Sequence, residues 1–166
     1  MNRFVRILKH RWTDERDLAR ALDAPTLARI EARVAASERR HSGEIRVCAE
    51  AGLPLSYLWR GATARERAVT MFGKLRVWDT EHNNGVLIYL LLADRDVEIV
   101  ADRGIDARVG AAGWEKVCVA MEKDFRAGLF EHGVIEGIQE VSRLLAQHFP
   151  RGPGGRNELP DAPVVL

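Results

Sequence analysis

Hydrophobic residues along this chain alternate between helical and strand periods in a readable order. Residues 1–23 look helical but carry few strong core anchors, and Asp14 can cap a short helix with Leu18, Ala21 and Leu22. Pro25 restarts the chain, since proline is accepted in a first helical turn. Leu27, Ile30 and Val34 then recur at helical spacing, while Arg29, Arg33, Arg39 and Arg40 face elsewhere. His41-Ser42-Gly43 is expected to end this helix, with the glycine as a left-handed cap. Ile45, Val47 and Ala49 alternate with Glu44, Arg46, Cys48 and Glu50, the pattern of a half-buried strand. Thr63-Ala64-Arg65-Glu66 reads as a capping box before a helix that buries Ala68, Val69, Phe72 and Leu75.

After the polar stretch Asp79 to Asn84, Gly85 opens the strongest strand, Val86 to Leu92. Its near-continuous apolar run suits a central strand covered on both faces. Asp94-Arg95-Asp96 turns the chain, and Val97 to Ala101 returns as the second arm of a hairpin. Two amphipathic helices follow. One presents Trp114, Val117, Cys118, Met121 and Phe125 and stops at Gly128; the other presents Val134, Ile138, Val141, Leu145 and Phe149. A strand–helix–strand crossover makes parallel strands and the hairpin adds an antiparallel neighbour. The predicted fold is α/β, a three-layer α/β/α sandwich around a small mixed β-sheet. Its parts are an N-terminal basic helical segment (residues 1–24), a domain (25–150) and a flexible Gly- and Pro-rich C-terminal tail (151–166).

Composition narrows the function classes. With 25 basic and 24 acidic residues the net charge is +1, which does not suggest a nucleic-acid binder. The longest apolar run, Gly85 to Ala93, is far below the ~20 residues of a membrane span. The charged N-terminus does not read as a secretory signal, so a cytoplasmic protein is expected. Cys48 and Cys118 sit in apolar patterns as small hydrophobes, and their pairing cannot be decided from spacing.

No self-sufficient catalytic motif is present. A thiol phosphatase needs an arginine six positions after its cysteine, but Pro54 and Asp124 stand there. Asp94-Arg95-Asp96 superficially resembles an aspartyl-phosphatase loop, yet a hairpin turn explains the same residues. Topology offers a better candidate. Glu44, Asn83, Asn84, Asp102, Arg103 and Asp106 reach one end of the sheet together with the loop that starts at Asp79. Asp79, Asp102 and Asp106 can hold Ca2+ or Mg2+ through hard oxygen ligands, and Arg103 can clamp an anion. Turn and helix capping accounts equally for most of these residues. At the N-terminus, Arg3, Arg6, Lys9, His10 and Arg11 alternate with Phe4, Val5, Ile7, Leu8 and Trp12. Such a helix can lie on an anionic bilayer surface or pack against its own domain or a partner protein. The tail residues Leu159, Val164, Val165 and Leu166 can dock onto a groove.

Three segments in order carry a family resemblance: Asn83-Asn84-Gly85-Val86-Leu87-Ile88, Asp94-Arg95-Asp96-Val97-Glu98-Ile99 and Arg103-Gly104-Ile105. With Gly43-Glu44-Ile45, Trp78, Phe125, Gly128, Gly133-Val134 and Gly137-Ile138, the stretch from Pro25 to Phe149 resembles the TPM domain. That family includes a thylakoid photosystem II repair protein and many uncharacterised bacterial proteins. The resemblance implies the same α/β/α sandwich. It associates weak acid phosphatase activity and calcium binding with plant relatives, and assembly of membrane complexes, often near LemA-type membrane proteins, with the wider family. The resemblance implies a signal peptide and membrane helix in better-known members, and neither is expected from the residues of this sequence. The preferred expectation is a cytoplasmic interaction module, peripheral to the inner membrane through residues 3–12, that serves a membrane-associated complex with a LemA-like protein as partner. The alternatives are a weak divalent-metal-assisted acid phosphatase and a divalent-ion or anion sensor.

Overall fold

The computed structural model describes residues 2–166. Three strands form where alternation and apolar runs place them: β1 (Glu44–Glu50), β2 (Gly85–Leu91) and β3 (Asp96–Ala101). β1 and β2 are parallel, with Glu44 opposite Gly85 and Glu50 opposite Leu91, and β2 and β3 form the antiparallel hairpin. A fourth strand, β4 (Val164–Val165), pairs parallel with β1 at Cys48 and Ala49, so the order is β3-β2-β1-β4. The segment read as tail runs without regular structure through its glycines and then joins the sheet edge.

Helices cover both faces. α1 (Arg3–Trp12), α2 (Glu15–Ala21) and α3 (Ala24–Ser37) precede β1. The caps are those the residues suggest: Asp14 closes a capping box on α2, and Asp23 accepts from Thr26 N–H on α3 with Pro25 in the first turn. α4 (Leu55–Trp59) and α5 (Ala64–Lys74) connect β1 to β2. α6 (Arg103–Val109), α7 (Ala111–Arg126) and α8 (Phe130–His148) follow β3. On one face Ile45, Val47, Val86, Ile88 and Ile99 pack against Ile30, Val34, Met121, Phe125, Ile138 and Leu145 from α3, α7 and α8. On the other, Cys48, Leu87, Tyr89, Leu91 and Val100 pack against Leu58, Ala64, Ala68 and Met71 from α4 and α5. This is the expected α/β/α sandwich with a mixed, open sheet.

Several local expectations are corrected. β1 is buried along its whole length rather than on one face, because Arg46, Cys48 and Glu50 are covered too. α5 turns Ala64, Arg67, Ala68 and Met71 inward and leaves Val69 exposed, a rotation that carries Arg67 to Glu50. Gly43 is no helix cap: α3 ends at Ser37, and Gly43 is not among the positive-φ glycines. It is required by close approach, since a Cβ there would lie 2.9 Å from Asn84 O and 2.5 Å from Leu145 Cδ2. α4 and α6 are short helices that the periodicity did not reveal.

Candidate functional site

Backbone geometry at the amino-terminal end of β1 and β2 does bring several of the expected residues together. Glu44 lies opposite Gly85, Asp102 N–H donates to Gly85 C=O at 2.8 Å, and Ile105 N–H donates to Asn83 C=O at 3.3 Å. The loop before β2 is pressed onto this end, and a Cβ on Gly85 or Gly104 would strike the carbonyls of Val77 or Asn83. Asn84 is fully buried; its Nδ2 donates to Ser42 Oγ at 3.3 Å and its Oδ1 has no partner. Asp102 caps α6 through Arg103 N–H at 2.8 Å, and its Oδ2 is buried without a partner.

The remaining residues are directed elsewhere. Asp79 pairs with Arg76 at 2.5 Å, Asp106 accepts from Trp114 Nε1 at 2.9 Å, and Arg103 is exposed. Asp79, Asp102 and Asp106 therefore do not assemble into one ligand set. Among the described residues no three His, Cys, Asp or Glu side chains are grouped to hold a metal ion. Glu44 belongs to a different constellation: its carboxylate accepts from Glu158 N–H at 2.9 Å and Leu159 N–H at 3.2 Å. Burial pushes this carboxyl up to about 7, opposed by those two amides. Glu38, beside it, accepts from Ile45 N–H at 3.2 Å and is pushed up to about 9 by burial and by Glu44.

Groups with catalytic potential are committed to structure. Burial raises the Cys48 thiol to about 12 and the Cys118 thiol to about 11, away from the thiolate a nucleophile needs. Arg67 makes two hydrogen bonds to Glu50, at 2.8 and 2.7 Å, and Tyr89 donates to the same carboxylate at 2.6 Å. This buried cluster was missed in the sequence, although Glu50 at the end of an alternating strand was a clue.

Asp94, in the hairpin turn, receives Arg6 at 3.3 Å, Lys9 at 3.3 Å and His10 Nε2 at 3.0 Å. Burial opposes ionisation of Asp94, but these donors outweigh it and hold the carboxyl well below its usual range. His10 Nδ1 accepts from Leu53 N–H at 3.0 Å, so Nε2 carries the proton given to Asp94 and neither ring nitrogen is free for base chemistry.

These contacts seat α1 by its charged side. Arg6 and His10 face the domain with Ile7, and Gly52 lets the His10 carbonyl approach closely. The opposite side presents Phe4 (64% exposed), Leu8 (54%) and Trp12 (80%), with Arg3 and Arg11 exposed beside them. α4, which touches α1, adds exposed Leu55 and Trp59. A water-soluble helix normally turns its apolar side inward; this one does the reverse. No helix among the described residues is long and apolar enough to cross a membrane. An open recess of about 970 Å³ lies at the other end of the sheet from the expected polar edge and is lined by Lys9, Arg20, Leu92, Arg95, Phe130 and His132.

Comparison with known proteins agrees with this architecture. The family model for the TPM domain matches residues 16–144. The NMR structure of the BA42 protein from the psychrophilic bacterium Bizionia argentinensis is 30% identical, with a TM-score of 0.77 over 87% of this chain and 95% of that one. The N-terminal domain of a P. gingivalis protein, 18% identical with a TM-score of 0.59 over 79% of this chain and 82% of that one, shares the fold. The comparison with curated proteins found no match. The chain belongs to the TPM-domain family.

Proposed function

We propose that this chain is an interaction module that seats on an anionic membrane surface through α1 and α4, at the cytoplasmic face of an inner membrane, in the service of a membrane-associated complex. The observation that carries this reading is the outward apolar side of α1. Aromatic and aliphatic side chains flanked by arginines match a bilayer interface, where rings sit at headgroup level and cations meet anionic lipid. The ion pairs to Asp94 support it further, because they fix α1 with this side outward before any surface is met. The burial that keeps both thiols protonated and the pairing of His10 with Asp94 favour a binding role over turnover.

The test is co-sedimentation with vesicles of phosphatidylglycerol against vesicles of phosphatidylcholine. Binding to the anionic vesicles is expected, weakening with salt, with a blue shift of tryptophan fluorescence that Trp12→Ser reduces and Trp12→Ser with Trp59→Ser removes. The double change Leu8→Ser with Trp12→Ser should reduce binding at least tenfold and leave the fold intact. Equal recovery in the supernatant with both vesicle types would overturn the proposal.

A further inference from the structure

β4 offers little to hold the end of the described chain in place. It contributes two residue pairs, Cys48–Val164 and Ala49–Val165, continued by Leu166 N–H to Ala49 C=O at 2.9 Å and Ala51 N–H to Leu166 C=O at 3.1 Å. Two buried charged side chains on β1 add to that grip. Glu44 is 2% exposed and takes the amides of Glu158 and Leu159; Arg46 is 6% exposed and donates to the carbonyls of Pro160 and Ala162. Burying two such charges is costly unless each finds hydrogen-bond partners. Here every partner named is main chain, and Arg46 Nε is left buried without one.

A clamp built this way reads an extended backbone rather than a particular side-chain sequence. Apolar selection comes from Leu159 and Val164, which rest against the cluster of Cys48, Leu87 and Tyr89, while the Glu158 carboxylate accepts from Glu81 N–H at 3.0 Å. Pro160 and Pro163 are compatible with it, because the clamp takes a carbonyl from Pro160 and asks neither proline for an N–H. The connection from α8 is exposed and irregular, with Gly152, Gly154 and Gly155 and a positive φ of 84° at Gly154. An edge strand left bare is a template for another chain, so something must cover β1.

We propose that the outer edge of β1 is a strand-addition site for an extended peptide, and that residues 158–166 occupy it in cis as a displaceable stand-in for a partner's segment. The partner segment is extended, tolerant of proline, and carries apolar side chains at the spacing of Leu159 and Val164. Recognition of this kind takes affinity from main-chain hydrogen bonds and specificity from alternate side-chain pockets. A leash this short holds the cis segment at an effective concentration of about millimolar, so a partner must out-compete it. This inference rests on contacts of β1 and residues 158–166 and is independent of vesicle binding by α1.

The test uses the full chain and a fluorescein-labelled synthetic peptide of residues 157–166, followed by anisotropy. Changing Leu159→Asp together with Val164→Asp should free the cis segment, and this variant should bind the peptide at least tenfold more tightly than the parent. Adding Arg46→Ala to it should weaken binding at least tenfold. A folded double variant that binds the peptide no better than the parent would overturn the proposal. Should that variant fail to fold, hydrogen exchange on the parent decides. Amides of Leu159 and Leu166 should exchange at least tenfold faster than those of Val47 and Ile88, and equal protection would show that the segment is a permanent part of the fold.

Discussion

The two faces of the sheet are sealed by different chemistry. On the face covered by α3, α7 and α8, long helices bring Ile30, Val34, Met121, Ile138 and Leu145 onto alternate residues of the strands. The opposite face is covered by shorter helices, by Ile7 of α1 and by Leu159 and Val164. That face also holds the buried charges Glu50 and Arg67, which join strand to helix, and Tyr89 donates to the same Glu50 carboxylate from the neighbouring strand. Hydrocarbon contacts are non-directional and tolerate adjustment, whereas a buried charge is stable only with its own partner in place. The apolar face is therefore held by interchangeable contacts, and the charged face is where segments are held in specific positions by named partners. Both proposed surfaces, α1 and the outer edge of β1, adjoin the charged face.

The largest effect expected is on that face. Arg67→Ala leaves the Glu50 carboxylate buried and unpaired and should cost about 3–5 kcal/mol in denaturant unfolding. Replacing both charges, Glu50→Gln with Arg67→Met, should recover most of the loss. A small effect of Arg67→Ala would show that the cluster is more open to water than its burial indicates.

A smaller effect follows from Glu38, whose carboxyl is pushed up from an ordinary 4.5 to about 9. The folded protein keeps this proton after the unfolded chain has lost it. Stability from this group is therefore fully present below pH 4.5 and is lost as pH rises towards 9. Glu44, at about 7, completes its change earlier, and His41, lowered to about 4 by burial, acts only on the acid side. Between pH 7 and 9 stability should fall by up to ~1.4 kcal/mol per pH unit, and Glu38→Gln should flatten that slope. A parent protein equally stable at pH 7 and 9 would refute the assignment.

The smallest effect belongs to the apolar face. Ile138→Val removes one buried methylene and should cost about 0.5–1.5 kcal/mol, with no dependence on pH between 7 and 9. A pH-dependent loss there would break the contrast between the faces.

Much of this architecture is legible in the residues. The apolar run after Gly85 and the alternation from Glu44 place β2 and β1, and Thr63 with Glu66 places the start of α5. These signals are local: a period of two or a cap three residues long is complete within a few positions. Part of the polar edge is legible for the same reason, since parallel pairing puts Glu44 opposite Gly85 and the hairpin returns Asp102 to that end. The convergence of Asp79, Asp102 and Asp106 expected from strand order does not form, because Arg76 and Trp114 take two of those carboxylates and neither partner follows from strand order.

By itself, then, the sequence determined the three long strands, the long helices, the mixed sheet and the TPM family, all of which rest on periodicities and residue order, but not α4, α6 or β4. It also marked the N-terminal helix as basic and amphipathic. Only the tertiary structure decided which side of that helix meets the domain, because the choice depends on Asp94, more than eighty positions away. It likewise decided that Arg67 turns inward to Glu50 and that Glu44 and Arg46 grip residues 158–162. A hydrophobic pattern assigns side chains to a face, but a charge is buried only where a distant partner arrives, and that meeting is fixed by packing in three dimensions.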